Sequence, residues 1–374
     1  MGVWVAVTAA ALLFTTGTER LCFLVAGTTN FAVAVLILPL RELRIQERGL
    51  AYGGTYAAQG LAQALLALLL VVLGWGVLGR FVGYLLGILP FAIYFGWKTM
   101  RRLRRPADRA MISEAVHLGT ALSLSALSMM VVGVADRILL KFFVPFAEIG
   151  VYSVGYTIGF ALAFVGAALY TTFEPLLYAE KDEDGGFVDH FTRSLAIAYM
   201  VILFGSTLLV AFASPLIRLL LEEDFYGAIP VVQIVAPIAL YQLCHLFFSL
   251  VGVRLQAKRA LMIVTIVAAL TNIGVNLAAI PIFGIKGAAY ATCAAYLVMM
   301  LLYAFVLSPY RELRGVYLTA LALPLALLGS ALLAPPEGIA HYAVPLATGV
   351  VATVCMGFSG GVWRWLQSGE WKSS

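Results

Sequence analysis

GRFVGYLLGILPFAIYFGWKTMRRLRRPADR, residues 79–109, joins an apolar run of about twenty residues to a stretch carrying Lys98, Arg101, Arg102, Arg104, Arg105 and Arg109. At about 1.5 Å per residue, such a run matches the thickness of a bilayer's hydrocarbon core. Cations at the end of a span are retained on the cytoplasmic side. This stretch therefore predicts both a membrane-spanning helix and its direction.

Similar segments recur in both directions along the chain. Apolar runs bounded by charges, Gly and Pro predict helices at 3–16, 21–40, 51–76, 79–98, 114–142 and 149–178, then at 191–215, 227–253, 259–281, 285–307, 316–334 and 341–364. Pro39, Pro90, Pro215, Pro237 and Pro324 are candidate kinks or ends. Of 374 residues, 62% are hydrophobic and 11% charged, with a mean hydropathy of +0.98. Soluble domains carry about 25% charged residues. The segments do not alternate in polarity, so helices satisfy the backbone within lipid and a β-barrel does not. The expected fold class is all-α: a polytopic bundle of about twelve transmembrane helices.

Of the 24 Lys and Arg residues, eighteen fall on one side of this layout and six (Arg20, Arg80, Arg137, Lys141, Arg218 and Lys286) on the other. That bias predicts an N-in, C-in orientation. It also explains the net charge of +5 without nucleic acid as a partner. Cys22, Cys244, Cys293 and Cys355 stand singly in or beside apolar segments, which predicts reduced packing residues. No basic region precedes the first apolar stretch, so no cleaved signal peptide is expected. Four divisions follow: an incomplete N-terminal lobe at 1–98, a basic cytoplasmic linker at 99–112, a C-terminal lobe at 113–307, and two further helices with a short tail at 308–374.

Several stretches carry a resemblance. They are ADRILLKFF (Ala135–Phe143), EIGVYSVGYTIG (Glu148–Gly159), PLIRLLLEEDFYGAIPVVQIVAP (Pro215–Pro237), TNIGVNLAAIPIFGIKGAAYATCAAY (Thr271–Tyr296) and, more weakly, RELRIQERGLAYGGTYAAQGLAQ (Arg41–Gln63). In this order they resemble the polysaccharide transporter family of the multidrug/oligosaccharidyl-lipid/polysaccharide exporter superfamily, which also holds the MATE exporters and lipid II flippases. The resemblance implies two lobes around a hydrated, partly cationic cavity. It also implies six helices before the one carrying ADRILLKFF, whereas four segments precede that helix here. Two N-terminal wall helices of the family pattern are therefore expected to be missing.

Among polar residues within the spans, Asp136 and Arg137 allow two readings: a contact for pyrophosphate or an acidic sugar, or an interfacial turn pair with Arg137 snorkelling outward. Tyr152 and Tyr156 share a helical face, and Tyr170 and Glu174 repeat the spacing. The tyrosines suit sugar rings, but also packing. Glu174 and His245 are candidates for coupling to a proton or cation, against a helix-end carboxylate and an interhelical bond shared with Gln242. Asn272 and Asn276 suggest packing and capping, with Gly284 and Gly287 serving the turn. Lys181-Asp182-Glu183-Asp184 suggests a solvated loop rather than a glycosyltransferase metal site. No Gly-rich phosphate loop, Ser/His/Asp set or zinc spacing occurs, so no catalytic residue, cofactor or metal is expected.

The resemblance implies a transporter, not an enzyme. It would move lipid-linked oligosaccharide of the undecaprenyl-pyrophosphate type across the cytoplasmic (inner) membrane for surface polysaccharide such as lipopolysaccharide O-antigen. Its partners would be that substrate, membrane lipids and polysaccharide assembly proteins. Rival readings are a MATE-like cation-coupled exporter, a lipid II flippase, an O-antigen polymerase or ligase, and a transport-inactive truncated protein. Predicted outer loops of about ten residues or fewer argue against the polymerase, whose active site needs a long one.

Overall fold

The computed structural model describes residues 17–46, 48–102, 108–180, 186–333 and 338–359, and all their regular structure is helical. The predicted segment 3–16, the Lys181–Asp184 run, the middle of the linker and the C-terminal tail lie outside the described residues. The chain forms two compact units, Met1–Arg109 and Ala110–Ser374.

The first unit holds α1 (Gly17–Ile45), α2 (Gly49–Leu70), a π-helical turn (Val71–Trp75) and α3 (Gly76–Arg102). Gly49–Arg101 is a nearly unbroken helical run of 53 residues. A straight helix of that length would measure about 80 Å, more than twice the hydrocarbon thickness. The chain instead doubles back at Gly74 (φ 88°) and Gly76 (φ 51°), in conformations that a Cβ would oppose. Gly79, Gly83 and Gly87, four apart on α3, then lie against Leu70, Ala67 and Gln63. The numbers fall on one side as they rise on the other, so α2 and α3 are antiparallel. Their backbones approach closely because the glycines have no side chain, the small-residue contact favoured where lipid supplies no hydrophobic drive. Ala32, Leu36 and Leu40 of α1 pack with Ile88 and Ala92 of α3, and because Cys22 and Ala26 lie near Val77 and Phe81 while Pro39 and Glu42 lie near Phe95 and Lys98, the two helices are parallel.

The second unit comprises α4 (Arg109–Leu140), α5 (Phe146–Ala179), α6 (Gly186–Leu220), a 3-10 turn (Glu223–Ala228), α7 (Ile229–Val235), α8 (Ile238–Arg254), α9 (Lys258–Phe283), α10 (Ile285–Val306), a 3-10 turn (Arg311–Leu313), α11 (Arg314–Leu333) and α12 (Ile339–Ser359). The 3-10 turn, α7 and α8 make one span, bent by 40°. Eleven spans therefore lie among the described residues, at the positions of the predicted second to twelfth helices.

Of the five candidate prolines, only Pro237 stands at a break; Pro39, Pro90, Pro215 and Pro324 lie inside continuous helices. At Pro237 and Pro324 a neighbouring helix supplies a bond. At Pro237 the Leu240 N–H turns to the Pro237 carbonyl at 3.2 Å, and the Ser206 hydroxyl of α6 donates to the Ala236 carbonyl at 3.0 Å. Pro324, lacking an N–H, frees the Ala320 carbonyl one turn earlier, and Tyr199 of α6 donates its hydroxyl to it at 3.2 Å. Helices α11 and α12, divided off by the sequence reading at 308–374, belong to the core of the second unit: Ala320, Leu327, Ala352 and Met356 are buried with the α6 and α8 residues.

Candidate substrate-binding site

The α4–α5 connection sets the geometry. Helix α4 ends in a tight turn, with the Val144 N–H donating to the Leu140 carbonyl at 2.9 Å, and Pro145, extended at φ −60° and ψ 152°, starts α5. The turn brings Asp136 and Arg137 alongside Tyr152 and Tyr156. Asp136 is fully buried (0%), whereas the Arg137 side chain is 29% exposed. The Asp136 carboxylate accepts the Tyr152 hydroxyl through Oδ2, and through Oδ1 it accepts the Arg137 N–H at 2.7 Å.

Arg137 folds back along its own helix. Its Nη1 donates to the Gly133 carbonyl at 2.7 Å and lies 3.6 Å from Asp136 Oδ1. Its guanidinium carbon sits 4.6 Å from the centre of the Tyr156 ring and 5.8 Å from that of Tyr152. Gly133 precedes Arg137 in a helix that ends at Leu140, so the cation reaches inward along the bundle. Outward snorkelling is thus not the conformation adopted, because a backbone carbonyl and an aromatic face hold the head group. Among the described residues, Nη1 makes every hydrogen bond of this guanidinium, leaving Nε and Nη2 for another acceptor.

An aromatic ladder continues from there. Tyr156 stacks on Phe160 at 5.4 Å, Phe160 lies 6.4 Å from Tyr296 on α10, and Tyr296 donates its hydroxyl to Gln242 Oε1 on α8 at 2.7 Å. One turn after Gln242, His245 Nδ1 shares a hydrogen bond of 2.8 Å with the Tyr303 hydroxyl. Gln242 and His245 therefore form the interhelical bonds that their spacing allowed, with partners seven apart on α10.

Tyr170 and Glu174 lie further along α5, apart from the Arg137 cluster. Tyr170 meets Phe247 edge-on at 5.4 Å, and Glu174 is half-buried beside Pro175. Asn272 and Asn276 are buried and joined at 3.0 Å, but α9 runs on to Phe283, so they sit within the helix and do not cap it. Sequence reasoning missed Phe160, Tyr296 and Tyr303. The seven-residue spacing of the two α10 tyrosines was the available signal.

This arrangement is a polytopic helix bundle with a cationic and aromatic cluster inside one of its units. A sequence profile of the polysaccharide biosynthesis protein family matches residues 44–230. The chain belongs to that family. Its fold is similar to that of the lipid II flippase MurJ in its inward closed conformation, with a TM-score of 0.56 at 12% identity over 98% of this chain and 81% of that one. No curated protein sequence matches the chain.

Proposed function

We propose that this protein translocates a lipid-linked oligosaccharide across the cytoplasmic membrane for surface polysaccharide biosynthesis, acting as a transporter and not an enzyme. The carrying observation is Arg137, held by Gly133 and Tyr156 with Nε and Nη2 unbonded to any described residue. A polar sugar and a charged pyrophosphate cannot cross hydrocarbon without groups that replace water. Guanidinium pairs with phosphate oxygens through paired N–H donors, and tyrosine faces suit the apolar faces of sugar rings. In this reading Arg137 takes the pyrophosphate or an acidic sugar, Asp136 orients Arg137 while neutralising it in the resting state, and Tyr152, Tyr156 and Tyr170 border the glycan path. Glu174 and His245 are the coupling candidates. Transport follows alternating access, in which one site faces each side in turn.

The test is surface glycan in a strain that depends on this gene. Arg137→Ala should abolish most surface polysaccharide while the protein inserts normally, and Arg137→Lys should restore only part, because an ammonium lacks the planar fork. Normal glycan with Arg137→Ala would overturn the assignment. The similarity to a lipid II flippase supports a second reading, with a peptidoglycan precursor as substrate. Rescue of a strain depleted of its lipid II flippase would select it.

A further inference from the structure

The connection from α10 to α11 encloses a cavity of about 730 Å³, on the side that the charge bias assigns to the cytoplasm. Its lining divides by chemistry. Ser308, Tyr310, Arg311 and Arg314 supply polar and cationic groups, whereas Leu307 and Leu318 supply apolar ones.

Exposed apolar side chains flank the cavity. Leu301 (48% exposed) and Phe305 (76% exposed) share one face of α10, four residues apart, in the last turns before the loop that carries Ser308. Leu318, 50% exposed, lies one turn beyond Arg314 on α11. Apolar side chains this open on a membrane helix face acyl chains. The two arginines therefore stand where hydrocarbon gives way to head groups.

Neither Arg311 nor Arg314 forms an ion pair among the described residues. Glu312, between them in sequence, is exposed and does not line the cavity. A single interfacial arginine needs only water, which snorkelling provides. Two arginines beside hydroxyls at one part of a void and leucines at another fit an amphiphile with an anionic head, the pattern of basic pockets that hold head groups on the cytoplasmic side.

We propose that this cavity binds an anionic phospholipid of the inner leaflet, its phosphate on Arg311 and Arg314 and the first carbons of its acyl chains along Leu307 and Leu318. The site is separate from the Arg137 cluster and would hold lipid whatever glycan the protein carries.

The full chain, purified and exchanged into nanodiscs of phosphatidylcholine with or without phosphatidylglycerol, provides the test by native mass spectrometry. The wild type should retain phosphatidylglycerol selectively. Arg311→Gln with Arg314→Gln should weaken that retention roughly thirtyfold, from two interfacial cations lost. Leu318→Trp, which crowds the apolar wall and leaves both charges, should weaken it as well. Lys286→Gln, on the opposite side, should leave it unchanged. Inorganic phosphate at millimolar concentration should not displace the lipid, and displacement would mean that free phosphate is the ligand. Undiminished retention in both the double-arginine and Leu318→Trp proteins would overturn the proposal.

Discussion

Tyr152 on α5 donates its phenolic hydrogen to the carboxylate of Asp136 on α4, tying two consecutive helices across the turn that joins them. The bond leaves a fully buried carboxylate with a hydroxyl on one oxygen and the Arg137 N–H on the other. Removing the hydroxyl while keeping the ring should cost about 1.5–3 kcal/mol, the usual worth of a hydrogen bond to a charged group. Tyr152→Phe should therefore lower the unfolding temperature in detergent. Asp136→Asn added to Tyr152→Phe should recover part of that loss, because an amide is cheaper to bury than a carboxylate.

Arg254, at the end of α8, should matter to stability rather than to transport. Its guanidinium donates to the carbonyls of Leu177 (3.3 Å) and Glu180 (2.8 Å), and sits 4.1 Å from the centre of the Phe187 ring. It thus satisfies carbonyls at the end of α5 that the helix itself leaves open. Arg254→Gln should destabilise by about 1–3 kcal/mol, read as a lower unfolding temperature, with glycan export per folded molecule unchanged.

The α2–α3 hairpin predicts a steric failure. A Cβ on Gly87 would fall 2.5 Å from the Gln63 backbone nitrogen, and backbone cannot swing aside as a long side chain can. Gly87→Val should therefore separate the two helices and raise protease sensitivity within residues 49–102. Gly53→Val, where a Cβ meets nothing within 4 Å, should leave the digestion pattern as it is.

Orientation is checked by labelling. In a protein with Cys22, Cys244, Cys293 and Cys355 replaced, Asp224→Cys should react with an impermeant maleimide added to intact cells. Asp108→Cys should react only after the membrane is opened. Labelling of Asp108→Cys from outside would invert the topology inferred from the basic residues.

The helices could be read from the chain because a span needs little more than length and an unbroken apolar composition. Residues 79–109 display both, and the cations that end them give a direction. The limits appear where a helix is held by its neighbours. Pro324 looked like a possible end, yet Tyr199, distant in sequence, supplies the bond that lets α11 continue. For the candidate site, Asp136 with Arg137 and Tyr152 with Tyr156 could each be singled out in advance as near neighbours on one helix, but that the two pairs meet was decided by the turn that joins α4 to α5. Tyr296 and Phe160 could not, since α5 and α10 meet only once the unit has assembled.

The order of residues by itself determined that this protein lives in a membrane as a bundle of many helices, and its cations supply the bias from which an orientation is predicted. Those properties depend on transfer between water and lipid, which acts on each segment locally. Only the tertiary structure decided that Arg137 turns inward onto the Tyr156 ring and that Gln242 and His245 meet Tyr296 and Tyr303. Such contacts join distant parts of the chain, and composition cannot specify which buried polar group another will reach.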